Sequence, residues 1–174
     1  MEEGLRGFLT ALEDDFVSAG LDGSVPAGPV DDLRQVPVLS LAFLGDTVFD
    51  LYMRTVAVRV KRFTPIDAHR FATKYVKAAA QARMAEHLEG ILTEEELAVY
   101  KRGRNAKNSS LAKNATAGDY RKATGLEALL GWLYLSGDTE RILKLCKESF
   151  DNYTPKESEG SESSNRSEYT GESD

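Results

Sequence analysis

Two carboxylates stand where carboxylates are costly. Asp46 lies in Leu41-Ala42-Phe43-Leu44-Gly45-Asp46-Thr47-Val48-Phe49, and Glu127 in Gly125-Leu126-Glu127-Ala128-Leu129-Leu130-Gly131-Trp132. Each is a lone acid in an apolar run of helical character. An uncompensated buried carboxylate is expensive, so each must be paired, hydrogen-bonded or metal-bound. Gly45 weakens a helix by about 1 kcal/mol relative to alanine, which points to close approach of another element beside Asp46. Small residues flank Glu127 in the same way. Two helices that each place an acid in an apolar face could set both against one Mg²⁺, a hard cation that takes oxygen ligands and keeps several waters. A buried salt bridge to Arg54 or a neighbouring lysine, or a surface stripe that resembles core, accounts for the same residues. Asp50, one turn after Asp46 on the same face, is read by preference as solvent-exposed or salt-bridged, and otherwise as a supporting acid.

Other metal chemistry is poorly served. His69 and His87 are far apart in sequence, and Cys146 is the single cysteine, so neither a zinc site nor an internal disulfide is expected. Cys146, in Arg141-Ile142-Leu143-Lys144-Leu145-Cys146, reads as a small core residue. The stretch from Lys101 to Lys122 holds seven bases and one acid. Arg and Lys on a Gly-, Asn- and Ser-rich loop can follow phosphates and ribose 2′-hydroxyls, which makes Lys101, Arg102, Arg104, Asn105 and Lys107 candidates for contact with A-form RNA. A solvated loop is the plainer alternative. Aromatic interleaving of the kind that stacks single-stranded bases is absent.

The elements that must position these groups read as helices throughout, and the fold class is all-α. The body should begin with a long helix from about Pro37 to Val60. Thr64-Pro65-Ile66-Asp67 opens a helical region ending near Gly90, as one helix or two. Thr93 and Glu96 form a capping-box pair, with Gly103 as the stop. Residues 103–118 read as a loop, Asp119 or its neighbours open a helix that Gly137 closes, and Asp138-Thr139 opens the last. Upstream, Leu5, Phe8, Leu9, Leu12 and Phe16 recur at helical spacing, followed by a Gly/Pro linker. From about Thr154 the chain is Ser-, Glu- and Gly-rich and cannot bury enough surface to order itself. The division is therefore 1–35 (amphipathic helix and linker), 36–150 (the helical body) and 151–174 (acidic tail).

The formal charge of −6 averages over unlike parts. Residues 1–34 carry −6 and residues 151–174 carry −5, whereas 35–150 carry +5. A phosphate backbone is felt locally, within about a Debye length, so the basic body does not exclude a nucleic-acid partner. The most apolar stretch, Val36 to Val60, contains Asp46, Asp50, Arg54 and Arg59, each costing roughly 2.5–3.5 kcal/mol at a bilayer centre. No membrane span or signal peptide is expected, and the chain should reside in the cytoplasm, or in an organelle of bacterial origin.

Phe43-Leu44-Gly45-Asp46-Thr47-Val48 resembles the signature helix of the ribonuclease III family, and Leu126-Glu127-Ala128-Leu129-Leu130-Gly131 resembles that family's second acidic motif. Lys101-Arg102-Gly103-Arg104-Asn105-Ala106-Lys107, preceded by Thr93-Glu94-Glu95-Glu96, is similar to the Mini-ribonuclease III branch, which consists of the catalytic domain only. The resemblance covers about residues 36–150. It implies a homodimeric helical endoribonuclease that cuts each strand of double-stranded RNA to leave 5′-phosphate and 3′-hydroxyl ends. It also implies Mg²⁺ as cofactor, Asp46 and Glu127 as catalytic metal ligands, and the large-subunit (23S) ribosomal RNA precursor as substrate. A ribosomal protein or pre-ribosomal particle is a further candidate partner. The segment Asp67-Ala68-His69-Arg70-Phe71-Ala72-Thr73-Lys74 is also family-like, and adds His69 and Lys74 as candidate RNA contacts. Full-length ribonuclease III carries further acids where this chain has Leu39, Ala42 and Thr124, so the metal count and the full ligand set stay open. Two other readings compete: a non-catalytic RNA-binding dimer of degenerate nuclease fold, and a purely structural helical protein.

Overall fold

A computed structural model of the chain describes residues 32–107 and 116–155. The expected N-terminal helix and linker, half of the expected 103–118 loop and most of the acidic tail lie outside the described residues. Among those described, the regular elements are all helical, as the sequence led us to expect.

After a short 3₁₀ turn at Leu33–Gln35, helix α1 runs over Val38–Thr55 and widens into a π-helical turn at Val56–Val60. Pro37 sits at its N-cap. Leu41, Gly45, Phe49 and Met53 recur every fourth residue and form the buried stripe of α1. The region 64–90 is two helices, α2 at Pro65–Tyr75 and α3 at Ala78–Leu88. Helix α4 spans Glu94–Arg104 with the expected capping box, Glu96 accepting from the Thr93 N–H at 2.8 Å. Helix α5, Ala117–Leu135, starts two residues before Asp119 because the Thr116 hydroxyl accepts the Asp119 N–H at 3.0 Å. Gly137, at φ 76°, turns the chain into α6, Thr139–Asp151, where Asp138 caps the Arg141 N–H.

Helix α5 is the axle of the fold. It packs along α1, α3, α4 and α6, and buried residues occur on every side of it, as an apolar helix enclosed by neighbours requires. The main core joins Phe49 and Met53 of α1 to Met84 and Leu88 of α3, Tyr100 of α4, Leu126, Leu129, Leu130 and Leu133 of α5, and Leu145 of α6. Cys146 is buried in this core, and desolvation pushes its thiol up to about 12, so it is unreactive. Trp132, Tyr134 and Phe71 are partly buried and pack against the same core.

Helix α4 ends one residue after Gly103, with Asn105 at the C-cap, close to the expected stop, but Gly103 has a second role. It lies inside α4, and a Cβ there would stand 2.7 Å from the Ala128 Cβ and 2.9 Å from the Thr124 carbonyl oxygen. A glycine that ends a helix and one that lets two helices touch give the same local signal. No helix among the described residues is long and apolar enough to cross a membrane.

Candidate active site

Helix α1 crosses α5 glycine against glycine. A Cβ on Gly45 would lie 1.8 Å from the Glu127 carbonyl oxygen, and one on Gly131 would lie 2.0 Å from that of Leu41. Both are well inside contact distance, so neither position tolerates a side chain unless the helices separate. The crossing presses the residue before Asp46 onto the backbone of Glu127. Two acids 81 positions apart in sequence thereby enter one electrostatic field.

The environments of the two differ. Glu127 is partly buried. Burial pushes its carboxyl up to about 7, the Asp46 charge pushes the same way, and only the side chain of Gln81 opposes them. Asp46 is exposed, which corrects the expectation that it is buried. Apolar neighbours along the sequence had suggested burial, but Asp46 stands on the solvent side of α1, between exposed Phe43 and partly buried Asp50. Desolvation where it meets the protein raises its carboxyl, Asp50 adds to the rise, and Gln81 again opposes it.

Neither acid forms an ion pair among the described residues. Arg54 donates instead to Asp50 at 2.6 Å, which gives Asp50 the salt-bridged role and removes Arg54 as a partner for Asp46. Two mutually repelling carboxylates beside a neutral amide, with no cation paired to them, form an oxygen-donor set that suits a hard divalent ion retaining much of its water. The set is sparse: among the described residues no three His, Cys, Asp or Glu side chains converge. Gln81, on α3, was not visible as a site residue in the sequence, because Ala78-Ala79-Ala80-Gln81-Ala82 carries no motif and its place depends on how α3 docks.

The basic candidates divide into three groups. Arg104, Asn105 and Lys107 line a cleft of about 680 Å³ between the end of α4 and the start of α5, together with Tyr120, Arg121 and Lys122. Arg104 is 3.8 Å from Glu89 and lies over the Tyr100 ring, and Lys122 pairs with Glu86. Lys107 and Arg121 are exposed and have no ion pair among the described residues. Arg102 faces elsewhere: its guanidinium donates to the carbonyls of Arg34 at 2.9 Å and Val36 at 3.5 Å, anchoring the segment that leads into α1. Lys101 is exposed on α4 outside the cleft lining, and His69 and Lys74 are exposed on α2. Arg121 and Lys122 are the cleft residues that the motif-centred reading passed over.

Comparison with known proteins adds an independent line. Residues 39–138 match the model of the ribonuclease III domain. The chain is similar to the Mini-ribonuclease 3 of Brevibacillus brevis, at 48% identity over 64% of this chain and 84% of that protein. It is also similar to that of a Thermoanaerobacter species, at 44% identity over 82% of this chain and 91% of the relative. A crystal structure of a Fusobacterium nucleatum protein superposes with a TM-score of 0.64 at 28% identity, covering 70% of this chain and 98% of that one.

Proposed function

The chain belongs to the ribonuclease III family, and from that premise we propose that it is a Mg²⁺-dependent endoribonuclease cutting double-stranded RNA at a site built on Asp46 and Glu127. The observation that carries this reading is the Gly45/Gly131 crossing, which brings into one field two acids that have no ion pair among the described residues. When bound, Mg²⁺ supplies polarisation of the scissile phosphate and a water of lowered pKa for in-line attack. The protein's own part is to hold the ligands still. Asp46 faces solvent, where a phosphate can approach, and Glu127 is held from behind on the enclosed helix α5. Metal-activated water attack requires no histidine as base.

Duplex recognition falls to the cleft beside the site's second helix, where Lys107 and Arg121, which have no ion pair among the described residues, can meet phosphate oxygens. His69 and Lys74 are exposed on α2 and are read as outlying contacts. Helix α1 leaves Leu39, Phe43 and Leu51 exposed at positions four and then eight residues apart, on one face, with Phe43 81% exposed. An apolar stripe of this kind on the signature helix supports a homodimer in which two copies of α1 meet. The resemblance to the Mini-ribonuclease III branch implies ribosomal RNA processing, and the large-subunit precursor is the substrate we favour. The cytoplasm is the expected setting.

Long duplex RNA incubated with the wild type, Asp46→Asn and Glu127→Gln, with and without Mg²⁺, tests the reading. The expected result is cleavage only by the wild type with Mg²⁺, leaving 5′-phosphates, while both variants still bind. Binding without cleavage by the wild type would favour the non-catalytic RNA-binding module.

A further inference from the structure

The buried face of α3 is made of alanine, methionine and leucine except at Gln81. Its side chain is 1% exposed, and among the described residues neither its amide nitrogen nor its carbonyl oxygen has a hydrogen-bond partner. A buried amide left unpaired costs folding free energy that an apolar side chain of the same shape would not, so packing gives no reason for it. The amide lies beside both acids and favours their charged forms, yet completes a hydrogen bond to neither. Three helices thus bring one neutral and two acidic groups within reach of one another's fields. An amide can donate to two carboxylates without adding charge, which no acid could do. Neither residue one turn before an acid can take this part: Ala42 is apolar, and Thr124 donates its hydroxyl to the Tyr120 carbonyl at 3.0 Å.

We propose that Gln81 is a positioning residue of the divalent-cation site: its amide closes onto Asp46 and Glu127 when the cation draws them together, and fixes which of their oxygens face it. The inference rests on the cation site proposed above. It explains why an unsatisfied amide persists in an alanine-rich helix, since the hydrogen bonds it lacks are completed in the loaded state. Groups that orient ligands in this way typically contribute about ten- to a hundredfold in metal affinity.

The test is a calorimetric titration of Mg²⁺ into the metal-free full-length protein, with thermal melts in EDTA. Gln81→Met keeps the length and approximate volume of the side chain and removes its polar atoms. It is expected to melt at or above the wild-type temperature in EDTA and to bind Mg²⁺ about tenfold more weakly. Its kcat should fall at limiting Mg²⁺ and recover at saturation, with KM for duplex RNA unchanged. A Gln81→Met protein of wild-type Mg²⁺ affinity overturns the proposal, whatever its melting temperature. Gln81→Glu is the second probe. A third carboxylate should lower the melting temperature in EDTA at pH 8 and enlarge the rise that Mg²⁺ produces; a rise equal to the wild type's counts against the proposal. Asp46→Asn is measured in parallel. If it loses Mg²⁺ binding while Gln81→Met keeps it, this inference alone falls; if it too keeps Mg²⁺ binding, the cation site falls and this inference with it.

Discussion

Glu96 and Glu127 are both glutamates drawn into the helical core, and their surroundings are opposite. Glu96 is 4% exposed. Arg141 forks onto it at 2.6 and 2.8 Å, and the Thr93 N–H donates to it as well. Burial alone would raise its carboxyl, but these hydrogen bonds and the Arg141 charge outweigh burial and hold it below the ordinary value. Glu127 meets burial, the charge of Asp46 and one incomplete amide, and rises to about 7. Burial of an acid therefore does not by itself mark a site. The mark is the missing counter-charge: among the described residues an arginine pairs with one glutamate and none pairs with the other.

Substitutions separate the two. Asp46→Asn and Glu127→Gln should each lower kcat/KM on duplex RNA by about a thousandfold while leaving duplex binding intact, measured under single-turnover conditions. Arg141→Met should do the reverse: it strands Glu96 and lowers stability by about 3 kcal/mol in urea titrations, with cleavage per folded molecule preserved. Gly131→Ala attacks the crossing that brings the acids together. It should cost about 3 kcal/mol and lower cleavage as well, since α1 must move away from α5.

The pH dependence of stability should have opposite signs at the two glutamates. Folding raises Glu127 from the ordinary 4.5 to about 7. Its contribution is complete below pH 4.5 and is lost as pH rises through 7, because the folded state holds a proton that the unfolded chain has released. Glu96 is lowered, so its contribution is present above pH 4.5 and is lost as pH falls. In EDTA, Glu127→Gln should melt with the wild type near pH 5 and about 5 °C above it at pH 8. A constant difference across that range would remove the raised Glu127 from the account. The smallest effect belongs to the cleft: Lys107→Gln and Arg121→Gln should each weaken duplex binding about threefold and reduce the salt slope by about one.

Much of the fold was written locally. Thr64-Pro65, the Thr93/Glu96 pair and Asp138 each open a helix where the sequence places one, because capping is decided within four residues. Asp46 and Glu127 stood out for a related reason, as lone acids in apolar runs with glycines beside them. What the sequence hid depends on packing between distant elements. Hydropathy averages over the faces of α1, so the exposure of Asp46 could not be read. Gly103 read only as a stop because the Thr124 backbone that it meets is 21 residues away. Arg102 looked like its basic neighbours until its carbonyl partners at Arg34 and Val36 came into view. Gln81 matters only once α3 is laid against α5.

The central claim is that Asp46 and Glu127 share a divalent cation, and the Glu127 carboxyl reports on it directly. A ¹³C titration of that carboxyl, without and with saturating Mg²⁺, should give a midpoint near 7 in the metal-free protein and one well below 4.5 once Mg²⁺ is present. A midpoint that Mg²⁺ does not move would contradict the account.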